Sequence, residues 1–568
     1  VVKRWIVGFA SLLTAVALVA TGCGSSKKSS SSTQTTASGG AKGGTLLTVA
    51  NAAPSGSPDP QVNYTLQEWQ LLIITHDGLV GFKRAGGTEG TKIVPDLAES
   101  IPKPTNGGKT WTFTLRKGIK FSNGTALTGA DVKATFERLF KIGDSPNAGT
   151  WYNVIKGADV CIKKPKTCDL SSGIQVNGNK VTFKLTTADP EWLDKLSVPF
   201  AYILPAGTPP KNVNIPPPGT GPYMWAQYAP NKQIKLVRNP FFKVWSKDAQ
   251  PSGNPDVIVQ KFGLTVEAEV TQVQNDQADW MFDQPPADRL GELSSPKYAS
   301  RVHVNPLTAT YYFALNVNVP PFNNLKARQG LNFATDRAAL VKIAGGAKLA
   351  VPTCQVLPPN FPGYVPYCPY TKNPGTGGSG KWTAPDMAKA KQLIDASGTK
   401  GMPVKVNTDS TDTDKALGLY FVGLLNKLGY KATLQALSAD IQYPYIQNSK
   451  NKVQIAFSDW FQDYPAASDF LVILLGCNSI HPNSNSSPNI AQFCDKGIQA
   501  KMDHAGQVGI TDPTAANKIW AQVDKEVTDK APWVAMYNPK YIDFLSSRVK
   551  GYLFSPQWYF LLDQASVK

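Results

Sequence analysis

Pro403-Val404-Lys405-Val406-Asn407-Thr408 and the residues that follow it decide the fold class. The run predicts a short strand. Leu417, Tyr420, Phe421, Leu424, Leu425 and Leu428 then recur at helical spacing, and Gly429 supplies the stop. Tyr430, Ala432, Leu434 and Ala436 alternate as on a half-buried strand. One helix between two strands predicts a parallel pair, hence an α/β layer. Residues 453–457 predict the next strand, which runs into Asp459-Trp460-Phe461-Gln462-Asp463-Tyr464-Pro465. Ligands of open α/β sheets sit beyond the carboxyl ends of strands. A loop with two acids and three aromatics at that point is a candidate site, although the same pattern fits a surface loop whose aromatics only pack.

Working outward, Ala327, Leu331, Ala334, Ala338 and Val341 keep helical spacing up to Gly345 and predict one helix. Nearer the start, residues 44–50 predict a first strand, and Pro54, Pro58 and Pro60 impose a loop around Asp59. Trp111, Phe113 and Leu115 alternate, as do Val181, Phe183 and Leu185. Between these strands, residues 128–140 predict a helix with Thr128 and Asp131 at its cap and Val132, Phe136, Leu139 and Phe140 on its apolar face. A proline-rich crossing at 205–222 connects domains.

The 568 residues are too many for one core and predict two to four domains. Apolar residues make up 42% of the chain, and beyond the first 20 residues no apolar run reaches spanning length; 471–475 is far too short. The net charge of +17 is spread without dense Lys/Arg blocks, which fits loose attraction to anionic lipid or wall polymer better than nucleic acid.

The extreme N-terminal segment carries an address. Lys3 and Arg4 precede an apolar stretch at 5–20, then small residues, then Cys23 and a Ser/Thr/Gly/Lys-rich run to Gly44. This arrangement resembles a bacterial lipoprotein signal, with residues 1–22 removed, Cys23 lipidated, and residues 23–42 a flexible tether reaching about 25 Å. The alternative is an ordinary cleaved secretory signal. Either places the protein outside the cytoplasm. The other six cysteines fall into close pairs, Cys161 with Cys168, Cys354 with Cys368, and Cys477 with Cys494. Nearest-neighbour disulfides are the economical reading. Metal binding fails on spacing, with no C-x-x-C and His76, His303, His481 and His504 scattered.

Enzyme motifs are missing. Gly375-Thr376-Gly377-Gly378-Ser379-Gly380 spells a dinucleotide fingerprint but precedes no suitable helix. No P-loop, zincin or nucleophile-elbow motif occurs. An unrecognised extracytoplasmic hydrolase stays open, because catalytic triads are spatial. A wall or adhesion protein would show linear repeats, and none occur.

Several segments converge on one family. They are Gly43-Gly44-Thr45-Leu46, Asp77-Gly78-Leu79-Val80, Pro95-Asp96-Leu97-Ala98-Glu99-Ser100, the run 113–124, Ala130-Asp131-Val132 with Arg138, Gly219-Thr220-Gly221-Pro222-Tyr223, Arg238-Asn239-Pro240, Pro321-Phe322, 328–337, and 460–465. In this order they resemble the extracellular solute-binding proteins of ABC importers, oligopeptide- and dipeptide-binding class (bacterial family 5). The resemblance implies an α/β, two-lobed, periplasmic-binding-protein-like clamp (type II, large form) with an extra subdomain on the first lobe. The first lobe would comprise 43–75, 211–308 and 541–568, the extra subdomain 76–210, and the second lobe 309–540.

The resemblance also implies that a monomeric, non-enzymatic protein without cofactor or metal captures short peptides and delivers them to membrane permease subunits. The same scaffold carries a nickel complex or a glycoside in some relatives. Asp463 would hold a ligand ammonium group, with Asp459 as a weaker substitute. Trp460 would wall a side-chain pocket, Tyr464 would pack, and Phe461 belongs to the same ligand segment. The chain departs from the family after Tyr464, where Pro465-Ala466-Ala467-Ser468-Asp469 lacks the usual acid-Pro pair. No basic residue matches a family position for a peptide carboxylate, so ligand length stays open.

Overall fold

The computed structural model describes residues 40–54, 56–142, 146–485 and 487–567. Cys23 and the signal lie outside the described residues, as does all but the end of the tether. Two lobes are each built on their own sheet. In the first, Thr45–Ala50 pairs in parallel with Trp280–Met281 on one side and Val257–Phe262 on the other. Gln233–Arg238 and Tyr223–Ala229 extend the sheet antiparallel. The register aligns Leu46, Ile258 and Leu236, all buried. Helix Leu66–Thr75 starts at Thr65, whose side chain accepts from the Glu68 N–H, and its Leu71, Leu72, Ile73 and Ile74 are buried.

The extra subdomain hangs on this lobe. Thr110–Thr114, Lys180–Lys184 and Ile174–Asn177 form an antiparallel sheet. Helix Gly129–Lys141 covers it, entered through the reciprocal Thr128–Asp131 capping box. Phe136 meets Phe183 edge-on at 5.1 Å. Arg138, on the same helix, reaches Asp59 Oδ2 at 2.5 Å and donates to the Pro209 and Lys211 carbonyls. This buried guanidinium therefore joins the helix to the proline loop on one side and to the proline-rich crossing on the other.

The second lobe holds a seven-stranded sheet. Pro403–Asp409 lies parallel to both Lys431–Leu437 and Ile455–Phe461, and the connecting helix Asp412–Lys427 buries Leu417, Phe421, Leu424 and Leu425. The strand-helix-strand unit is parallel, as its spacing predicts. Ala309–Leu315 pairs antiparallel with Ile455–Phe461 and with Trp533–Phe544. The far end of that last, twelve-residue strand pairs with Val302–Pro306, and Asp543 there accepts from the Trp280 indole of the first lobe at 2.8 Å. Trp533–Phe544 thus runs from one lobe into the other.

Two sequence expectations change. The single helix expected around 327–341 is two, Leu325–Ala334 and Arg337–Ile343, because the Asp336 carboxylate caps the second by accepting from Ala338 and Ala339 N–H. Apolar spacing persists across such a break, so periodicity alone hides it. The strand expected at 453–457 is Ile455–Phe461, since pairing with Ala309–Leu315 continues to Phe461. Asp459, Trp460 and Phe461 therefore lie on a strand, not in a loop. The three cysteine pairs are bonded as neighbours, with Cα separations of 4.4, 4.9 and 4.6 Å. No helix among the described residues is long and apolar enough to cross a membrane.

Candidate functional site

Strand alternation decides which residues of the 459–465 segment reach the space between the lobes. Asp459 and Phe461 face it beside Tyr311, whereas Trp460 lies on the opposite face, packs against the core of the second lobe and donates to Asp469 Oδ2 at 3.4 Å. Past the strand, the Gln462 N–H still bonds the Thr308 carbonyl at 3.0 Å. Asp463 is fixed through its main chain. Its N–H donates to Asp469 Oδ2 at 3.0 Å, and its carbonyl accepts from Gln557 Nε2 at 2.7 Å. This leaves the carboxylate free to face outward.

Tyr64 of the first lobe donates its hydroxyl to Asp463 Oδ1. Its ring stacks on Trp69 with centroids 5.5 Å apart and meets Phe200 edge-on at 5.3 Å. Among the described residues, Asp463 Oδ2 has no hydrogen-bond partner. Burial pushes the Asp463 carboxyl up to about 7 against the opposing effect of the Tyr64 bond. Asp469, wholly buried, is pushed well above the carboxylate range by burial and by the charge of Asp463.

These groups border a cavity of about 460 Å³ between the lobes, walled by Tyr64, Trp69, Tyr311, Phe461 and Tyr541, with Asp463 and Lys540 as its charged residues. A neighbouring cavity of about 320 Å³ shares Tyr311 and Pro539 with it and holds Asp409, Asp414 and Asp459. Burial and the hydrogen bond with Asp409 push Asp414 up to about 7. Burial raises Asp459 against the hydroxyls of Tyr443, whose bond is 2.8 Å, and Tyr311. No group of three His, Cys, Asp or Glu among the described residues is arranged to hold a metal ion.

Of the five residues singled out in the sequence, Asp463 and Phe461 line the larger cavity and Asp459 the smaller. Trp460 and Tyr464 line neither. The pleat turns Trp460 away, and Tyr464 is buried against Trp151 at 5.7 Å. Sequence reasoning missed Tyr64, Tyr311, Asp469 and Lys540. Tyr64 precedes the helix cap Thr65, a visible signal, but nothing local ties it to a residue 399 positions away.

The lobes also touch outside the cavity. Ser468 Oγ donates to Glu191 Oε1, and Trp151 packs on Tyr464. Glu191 is pushed up to about 7 by burial and by Asp189.

The sequence profile of bacterial extracellular solute-binding proteins, family 5 (middle region), matches residues 92–482. The chain is 26% identical to heme-binding protein A of Haemophilus influenzae over 96% of each protein. It is 24% identical to the probable D,D-dipeptide-binding periplasmic protein DdpA of Escherichia coli, over 90% of this chain and 92% of that one. Among solved structures, clavulanic acid biosynthesis oligopeptide binding protein 2 superposes with a TM-score of 0.81 at 21% identity, covering 94% of this chain and 99% of the other. The unliganded open form of the murein tripeptide binding protein MppA gives 0.73 at 20% identity over the same shares. This chain belongs to the family 5 extracellular solute-binding proteins of ABC importers, and it binds a solute without transforming it.

Proposed function

We propose that the protein is a lipid-anchored binding protein that captures short peptides between its lobes and hands them to membrane permease subunits, with ATP hydrolysed elsewhere in the importer. The observation that carries the reading is the Asp463 carboxylate, held by its own main chain at the edge of an aromatic cavity with one oxygen open. A desolvated ammonium needs a fixed counter-charge, and this oxygen supplies one. The aromatic walls accept side chains of varied shape. Relatives named for dipeptides and di/tripeptides support a peptide reading, beside the relative named for heme.

In this reading the protein works as a monomer, tethered outside the membrane through Cys23. Its first lobe is 43–75, 211–308 and 541–568, its extra subdomain 76–210 and its second lobe 309–540. Closure turns on the crossings near Leu307–Thr308 and within Trp533–Phe544. Tyr64 and Asp463, one from each lobe, meet only when the lobes are together, so ligand and closure share the same residues.

Native mass spectrometry of the full chain purified from its own membranes tests the proposal. The expected result is a set of co-purifying masses that fragment as short peptides. A non-peptide solute in their place overturns it.

A further inference from the structure

The contact between the extra subdomain and the second lobe lies outside both cavities, and no role above uses it. On the subdomain side it is the turn 189–191. The Asp189 carboxylate fixes that turn by accepting from the Glu191 N–H at 3.1 Å and from Lys195 Nζ at 2.7 Å. Trp192, the next residue, is fully buried beside Phe183 and Tyr152, with ring centroids at 5.4 and 6.3 Å. Pro190 and Glu191 are therefore held in place by the subdomain's own core.

The second lobe meets them with two helices. Helix Ala467–Leu475 begins at Ala466, whose methyl side chain gives the first turn no cap, whereas Ser, Thr, Asp or Asn there would satisfy a free N–H. Ser468 in that turn donates its hydroxyl to Glu191 Oε1. The subdomain thus brings a carboxylate to the positive end of the helix, where negative charge is favoured. Helix Lys496–Gly509 carries glycines at 506 and 509, neighbours on one face. Glycine is a poor helix former, and the space it leaves is used. A Cβ at Gly506 would lie 3.5 Å from Pro190 Cγ, and one at Gly509 3.9 Å from Pro190 Cβ. The turn that carries Ser468 also carries Asp469, which accepts the Asp463 N–H at 3.0 Å. One turn of helix joins the contact to the segment that borders the larger cavity.

We propose that Pro190 and Glu191 are a latch, which holds the second lobe against the extra subdomain whether or not solute lies between the lobes and so sets affinity from outside the cavities. Pro190, Glu191, Ser468, Gly506 and Gly509 line neither cavity. A contact made only with the lobes together, and touching no solute, strengthens the binding of every solute by the same factor. The inference rests on the clamp reading above and not on the identity of the solute.

The test uses the full chain, with Ser468→Ala to remove the hydroxyl and Gly506→Leu to fill the seat of Pro190. Wild type and an isotope-labelled variant share a limiting, equimolar library of di- to tetrapeptides, and native mass spectrometry reads how each peptide divides between them. Loss of a hydrogen bond to a charged group, or overpacking of a tight contact, weakens binding by about tenfold. The wild type should hold each peptide about tenfold over either variant, by one factor for all of them. Small-angle scattering of the same chains, with solute dialysed away, should give both variants a larger radius of gyration than wild type. Undiminished retention, a factor that changes from peptide to peptide, or equal radii overturns the latch and leaves the peptide reading standing. A wild type that retains no peptide overturns the peptide reading, and the scattering comparison then decides the latch by itself.

Discussion

Asp463→Asn separates an ammonium anchor from a brace for its own loop. The two roles use different atoms. The loop is held by the Asp463 N–H on Asp469 and by the Gln557 amide on the Asp463 carbonyl, neither of which the substitution touches. Asparagine also keeps an acceptor for the Tyr64 hydroxyl. What disappears is the charge on the open oxygen. Removing one partner of a buried ion pair costs about 2–5 kcal/mol, so affinity for an ammonium-bearing peptide should fall by about 30-fold or more at pH 8.

The pH dependence adds a second signature of the same anchor. The folded carboxyl pKa of about 7 is raised from 3.8, so the empty site takes up a proton as pH falls through 7. Ammonium binding must expel that proton. Apparent affinity should therefore drop about fivefold from pH 7 to pH 6 and about tenfold per unit below that, with proton release visible in buffers of different ionisation enthalpy. The asparagine variant should be flat over this range. A raised carboxyl pKa means that ionised Asp463 opposes folding above pH 3.8, so the variant should melt no lower than wild type at pH 8. Calorimetry with the co-purified peptide and a melting curve of the empty protein make the comparison. Undiminished affinity, or a lowered melting temperature with binding intact, would refute the anchor role.

Four further outcomes are expected. Glu68 is fully buried, both its carboxylate oxygens lack a hydrogen-bond partner among the described residues, and burial pushes it up to about 8 from 4.5. Its raised pKa makes stability greatest below pH 4.5 and lost as pH rises through 4.5–8. Glu68→Gln should therefore stabilise by about 3 kcal/mol at pH 7 and by nearly nothing at pH 4.5; equal effects in thermal unfolding at both pH values contradict this. The Cys354–Cys368 bridge spans 14 residues, and its removal as a double alanine variant should cost about 3 kcal/mol in the chain-entropy account, read by denaturant unfolding. Non-reducing peptide mapping of the exported protein should return all three neighbour pairs, and two free thiols would speak against them. Cys23→Ala should shift the protein from the membrane fraction to the soluble one or leave it unprocessed, and unchanged membrane retention after correct cleavage would count against lipidation.

What was legible in the sequence is what the chain writes locally. The parallel unit at Pro403–Leu437 follows from a period of two changing to helical spacing and back, and the structure pairs Val404 with Ala432 and Val406 with Leu434 accordingly. The cap at Thr128 was legible for the same reason, because Thr128 and Asp131 satisfy each other within one turn. The site was legible only in part. Asp463 stood out because it follows a strand end, but the strand itself was placed too early. Its last three residues are strand only because Ala309, Thr310 and Tyr311, some 150 positions upstream, hold them in register. With that register, the pleat sends Asp459 and Phe461 to the cavities and turns Trp460 away. Tyr64 and Lys540 were illegible for a stronger reason. Each is unremarkable among its neighbours, and each borders the cavity with Asp463 only through contacts distant in sequence. A cavity lined by residues of both lobes draws them from distant parts of the chain, and such a meeting has no period. Tyr64, Trp69 and Phe200 form one aromatic stack on the first lobe, while Asp463 hangs from Asp469 on the second. The Asp463 carbonyl is also held by Gln557 and its carboxylate by Tyr64, so residues of both lobes position this group together.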